Sequence, residues 1–299
     1  MELQARNGRP AVAEFDRPAA QGGIPPVTVS CTPDTGASFA VGTHTVTCTA
    51  QDAKARASSC SFEVAVAAVP RLSEVRFLAF GDSITEGKVS PAPGILTVNF
   101  AESYPNKLQR SLSQRYIDQT IRVLPEGLGG EEVDDEGEER FPPVLEKHRP
   151  DVVLLLHGAN DLLAAANAGD PWDAIPRITD GLESIIESAA RRRVPVMVAT
   201  FPPQDASASK GRGAPAIPDL NRAIRSLARR EGAIVVDLYG GLDGTPEGSI
   251  GVDGLHPTAE GYTKIAQVWF EAIRRRYEVS GSAAAGTGRF QLLIEPTDQ

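Results

Sequence analysis

The chain has 299 residues, 41% of them hydrophobic and 23% charged, with a formal net charge of −9. That acidity argues against nucleic acid as a partner, because phosphate recognition needs a basic face. No apolar run approaches the roughly 20 residues that cross a bilayer as a helix, and the length allows one large domain and a small one.

The opening residues, MELQARNGRPAVAEF, lack the apolar core of a signal peptide. Residues 1–23 read as an N-terminal extension. Residues 24–69 read as a small β-sandwich module, written in short strand signals, VTVSC, HTVTCTAQD and CSFEVAVAAV. Val46, Cys48 and Ala50 alternate with Thr45, Thr47 and Thr49, the period of a half-buried antiparallel strand. All three cysteines, Cys31, Cys48 and Cys60, fall in this segment. Such clustering points to a stapled module and to a secreted or periplasmic setting, while the start fits either a cytosolic protein or one whose leader has been removed. Two pairings stand open, Cys48 with Cys60 across a turn near Lys54, or Cys31 with Cys48 between successive strands. The stretch from VSCTPDTG to CSFEVAV resembles the later part of a hyalin-repeat domain, an immunoglobulin-like module. The strands that should precede Val27 look missing or diverged.

Residues 70–74, PRLSE, form a linker. Over 75–278 the pattern changes to apolar strands at 75–80, 121–124, 152–156, 195–201 and 233–238. Helical patterns alternate with them near 102–117, 141–148, 173–192, 217–231 and 258–277. This is the signature of a five-stranded parallel sheet covered by helices on both faces. In such α/β sheets the chemistry sits at the carboxyl ends of the strands. Residues 279–299 read as a flexible spacer, VSGSAAAGTG, followed by a short strand-like end, RFQLLIEP.

The strand ends carry polar groups in order: FGDSITEG after the first, PEGLGGEE after the second, HGAND after the third and GVDGLHP after the fifth. Acyl transfer asks for these types. A serine hydroxyl needs an imidazole to take its proton, the imidazole needs a carboxylate to orient it, and the oxyanion needs fixed N–H donors. Ser83 is the candidate nucleophile, His256 the base and Asp253 its orienting carboxylate. Ser83 and Gly130 offer backbone N–H groups, and Asn160 a side-chain amide. Of the four histidines, His44 lies in the β-module, His148 at a helix end, and His157 at a strand end where a structural hydrogen bond is expected. Asp82 and Asp161 read as loop braces.

The four blocks together resemble those of the SGNH, or GDSL-like, hydrolases over residues 75–278. That resemblance implies a flavodoxin-like α/β/α sandwich and a serine esterase or lipase with no cofactor and no metal. Position by position, it gives the triad Ser83, His256 and Asp253 and the oxyanion donors Ser83, Gly130 and Asn160. Pro125 stands where family members often carry asparagine, which leaves Gly127 and Gly129 open as alternatives to Gly130.

Other motifs carry less. GLGG completes no dinucleotide fingerprint, and GDSIT is not the G-x-S-x-G elbow. EEVDDEGEER holds seven acids in ten residues. Read as a calcium loop from Glu132 it puts Pro143 where a bidentate Glu is required, so it reads as a solvated acidic loop. Ile95, Leu96, Val98 and Phe100 suit either an acyl pocket or loop packing. The expected function is hydrolysis of small-molecule or glycan esters with short-to-medium acyl chains. Carbohydrate O-acetylesterase, acyltransferase and glycan-binding protein with an idle hydrolase domain are the rival readings.

Overall fold

The computed structural model describes residues 1–6 and 8–279, which divide into two units, Met1–Arg71 with Val279 and Leu72–Glu278. Residues 280–299, where the strand-like end was expected, lie outside the described residues.

In the first unit, the strands Glu2–Ala5, Ala57–Ala68, Gly42–Gln51 and Thr28–Thr32 form a sheet in that order, and Ala11–Ala13 pairs with Ala37–Phe39. Residues 1–23 are therefore more than an extension. Glu2–Ala5 runs parallel to Ala65–Ala68, and Ala5 and Ala13 join a core with Phe39, Val46, Val64 and Val66. The expected alternation holds from Thr45 to Cys48, with Val46 and Cys48 buried and Thr45 and Thr47 exposed, and fades at Thr49 and Ala50, which are both half-buried. Cys48 faces Cys31 on one side and Cys60 on the other. The disulfide joins Cys31 to Cys48, and Cys60 is exposed and free.

The second unit is the expected three-layer α/β/α sandwich. Its strands are β1 (Arg76–Gly81), β2 (Arg122–Gly127), β3 (Val152–Leu156), β4 (Val196–Ala199) and β5 (Ile234–Val236). All run parallel in the order β2-β1-β3-β4-β5, the flavodoxin-like arrangement. The sequence VVLLL of β3 is buried throughout, because a central parallel strand is covered on both faces.

The helices are α1 (Ser83–Glu86), α2 (Tyr104–Arg115), α3 (Glu138–His148), α4 (Ala159–Ala168), α5 (Ala174–Arg191), α6 (Ile217–Glu231), α7 (Leu238–Gly241) and α8 (Ala259–Tyr277). In α5, Ile178, Leu182, Ile185, Ile186 and Ala189 repeat at helical spacing and are buried, giving one apolar stripe toward the sheet. Helix α8 opens on a Thr258 cap that accepts from Gly261 N–H at 3.0 Å, and it buries Tyr262, Ile265, Trp269 and Ile273. Helices α2 and α8 pack together, and α5 packs between α3 and α6. A hairpin, Lys88–Ala92 with Ile95–Val98, and helix α4 have no counterpart in the sequence reading.

Candidate active site at the carboxyl edge of the sheet

Strand β1 ends on Gly81, where an added Cβ would lie 1.8 Å from the Leu156 carbonyl oxygen, so β1 and β3 can approach only with glycine there. Asp82 caps the short turn α1. Its Oδ1 accepts from Ile84 N–H and its Oδ2 from Ala159 N–H, both at 3.0 Å. The brace role expected of Asp82 thus links the Ser83 turn to the start of α4. Ser83 is the first residue of that turn, so its N–H has no intrahelical partner.

The Gly251–Pro257 loop brings His256 across. Its Nε2 stands 2.9 Å from Ser83 Oγ, and its Nδ1 stands 2.6 Å from Asp253 Oδ2. All three side chains are buried. Asp253 Oδ1 also accepts from the backbone N–H of Leu255 and His256, at 3.2 and 3.1 Å, which folds the loop around the carboxylate. Burial pushes the Asp253 carboxyl up, but hydrogen bonding and charge from His256, with the two backbone donors, hold it below its ordinary value. Lys210, which the sequence reading passed over, donates its backbone N–H to Asp253 O at 2.8 Å. It also brings Nζ to 3.8 Å from Asp253 Oδ2.

The three glycines of the block differ in their surroundings. Gly127 is the last residue of β2, where a Cβ would lie 2.1 Å from Glu86 N, and Gly129 lies against the Lys88 side chain. Gly130 alone of the three has a positive φ, +96°, and a Cβ there would meet nothing within 4 Å. Asn160, in the first turn of α4, donates one amide hydrogen from Nδ2 to the Glu131 carbonyl at 2.8 Å. A primary amide carries two N–H donors, so the second is uncommitted by that bond.

The acidic run is not a solvated loop. Val133–Gly137 forms a π-helical turn leading into α3, with Val133 and Gly137 buried. Glu131 is buried too, bonded by Arg140 and His157. Asp161 accepts from Val133 N–H with both oxygens, at 3.1 and 3.0 Å, and burial raises its carboxyl to about 6. Among the described residues, Glu132, Asp134 and Asp161 form the one acidic group whose oxygens all lie within 4.8 Å, near enough to share a cation. Arg177 Nη1, at 3.7 Å from Asp134 and 4.0 Å from Glu132, already brings positive charge there. Ile95, Leu96, Val98 and Phe100 are all exposed, on or just beyond the hairpin that follows α1.

A family model described as GDSL-like lipase/acylhydrolase matches residues 79–264. The chain belongs to that family. A HYR domain model matches residues 7–66, so that module begins before Val27. A multidomain esterase from Ruminococcus flavefaciens is 26% identical over 132 residues, which is 43% of this chain and 16% of that protein. The chain thus spans about a sixth of the curated relative it matches. A lipase/acylhydrolase from Enterococcus faecalis is 22% identical with a TM-score of 0.55, covering 68% of this chain and 97% of that one. Axe2, an acetylxylan esterase from Geobacillus stearothermophilus, is 19% identical with a TM-score of 0.53, covering 68% and 94%. These structural likenesses share the hydrolase fold. Family and esterase relative together make the α/β unit a carboxylic ester hydrolase domain.

Proposed function

We propose that the protein is a serine esterase in which Ser83 attacks the acyl carbonyl of esters with short-to-medium acyl chains. The observation that carries this reading is the Ser83–His256–Asp253 chain of contacts at 2.9 and 2.6 Å. His256 Nε2 takes the Ser83 proton as the hydroxyl adds to the carbonyl. Asp253 holds the ring through Nδ1 and stabilises the imidazolium. The N–H groups of Ser83 and Gly130 and the free amide hydrogen of Asn160 receive the oxyanion. His256 then protonates the leaving alcohol, and water repeats the two steps to free the acid. Nucleophile, base and donors all come from the chain's own side chains and backbone.

A second reading, carbohydrate O-acetylesterase, draws on the attached HYR-type module and on a fold shared with an acetylxylan esterase. A secreted or periplasmic setting is part of the proposal, supported by the Cys31–Cys48 disulfide. The test is hydrolysis of p-nitrophenyl esters from acetate to palmitate by the wild type and Ser83→Ala. Activity that depends on Ser83 and is greatest at acetate to octanoate is expected, and acetylated xylan as a competing substrate separates the two readings. Equal rates for the two proteins would sink the nucleophile assignment.

A further inference from the structure

Glu131 follows Gly130 directly, and its side chain is wholly buried. Both carboxylate oxygens are used. Arg140 Nε donates to Oε1 at 2.5 Å and Nη2 to Oε2 at 2.6 Å, while His157 Nε2 lies 2.7 Å from Oε2. Gly158 N–H donates to His157 Nδ1 at 2.9 Å, which leaves Nε2 as the protonated nitrogen that donates to Glu131. The guanidinium of Arg140 sits 4.1 Å from the centroid of Phe80, and Nη2 also reaches the carbonyls of Gly81 and Glu126 at 3.3 and 3.4 Å.

These bonds join three strand ends. Gly81 closes β1 ahead of Ser83, Glu126 and Glu131 flank the glycine block at the end of β2, and His157 to Asn160 follow β3. The Glu131 carbonyl accepts from Asn160 Nδ2. The backbone is built to admit the cluster, since a Cβ on Gly137 would lie 2.7 Å from His157 Nε2. Burying an ion pair contributes little net stability, because desolvation offsets the attraction. A fully bonded buried network does fix position.

We propose that Glu131 is a positioning residue for the oxyanion side of the site. Gripped by Arg140 and His157, it holds the Gly130 N–H and the Asn160 amide at a fixed separation from Ser83. The proposal rests on the roles given above to Ser83, Gly130 and Asn160. An interaction that matters only when the oxyanion forms changes kcat and leaves KM in place. Removing an oxyanion donor outright lowers kcat about 100- to 1000-fold in other hydrolases, so displacing two donors slightly should lower it about 10- to 100-fold.

The experiment compares the wild type, Ser83→Ala, Glu131→Gln and Arg140→Lys on p-nitrophenyl butyrate, with a melting curve for each. Glutamine keeps the shape of Glu131, but its NH2 meets one of the three donors. A folded Glu131→Gln should show the kcat loss with KM within about threefold of wild type. An alkyl boronic acid, which adds to the serine hydroxyl and places an oxygen in the oxyanion position, should bind more weakly in step. Unchanged kcat in folded Glu131→Gln, or a change confined to KM, would overturn the proposal. Should Glu131→Gln fail to fold, Arg140→Lys is judged by the same criteria. An active Ser83→Ala would instead refute the site reading itself, whereas an inactive Ser83→Ala beside a fully active Glu131→Gln refutes the positioning role alone.

Discussion

Asp82 offers a quantitative test of how the Ser83 turn is held. Its carboxylate is 1% exposed and receives two backbone N–H donors from two different elements, Ile84 in α1 and Ala159 in α4. A hydrogen bond to a charged group contributes about 1.5–3 kcal/mol, and stranding a buried donor costs about 1–3 kcal/mol. Asp82→Asn keeps one acceptor and turns an NH2 toward the other donor, so one bond is lost, at about 2–3 kcal/mol. Asp82→Ala strands both donors, at about 3–6 kcal/mol, a large share of a typical domain's 5–15 kcal/mol. Both tryptophans, Trp172 and Trp269, lie in the α/β unit, so tryptophan fluorescence in a urea titration follows that unit alone. The serine-bearing turn should loosen with the bond, lowering kcat/KM by at least tenfold in Asp82→Asn. An Asp82→Asn variant within about 0.5 kcal/mol of wild type, or an alanine variant that costs no more than asparagine, would refute this role for Asp82.

Two further outcomes follow from other groups. Asp161 is raised from 3.8 to about 6, chiefly by burial. Its protonated form is favoured in the fold, so its contribution is complete below about pH 4 and lost as pH rises through 6. The loss is on the order of 3 kcal/mol at most. The urea midpoint of the wild type should therefore fall relative to that of Asp161→Asn between pH 4 and pH 7, and parallel curves would contradict this. Thiol titration of the unreduced protein in denaturant should find one thiol per chain, from Cys60, and three after reduction. Three before reduction would remove the disulfide and the support it gives to an oxidising compartment.

The α/β unit was legible because parallel strands buried on both faces read as uninterrupted apolar runs, as VVLLL does. Chemistry at their carboxyl ends then follows from topology, and Ser83, His256 and Asp253 do come together there. Helix α4 begins inside HGAND, which reads as a site loop, although the residues that follow carry a strong helical signal. DLLAAANA is rich in good helix formers, with Gly158 and Gly169 at its two ends in left-handed conformation. The strand Glu2–Ala5 had no such signal. Only Ala5 is buried, and the strand's place is set by its parallel partner rather than by its own pattern.

Glu131 shows where one-dimensional reading stops. Within seven acids in ten residues, composition predicts a solvated surface, and nothing local marks the one carboxylate that is buried. What distinguishes it is return of the chain. A π turn at Val133–Gly137 carries Arg140 back over Phe80, and β3 delivers His157 from 26 residues away. A glycine at 137 makes room for that ring. The same holds for Lys210, which lies far from Asp253 in sequence and reaches it through a loop that Asp205 and Gly254 tie together at 2.9 Å. Motifs report the groups that face the reacting atoms, because those must sit at strand ends. The groups that hold them in place are chosen by the tertiary fold, and a buried charge with every bond satisfied is the mark by which they are found.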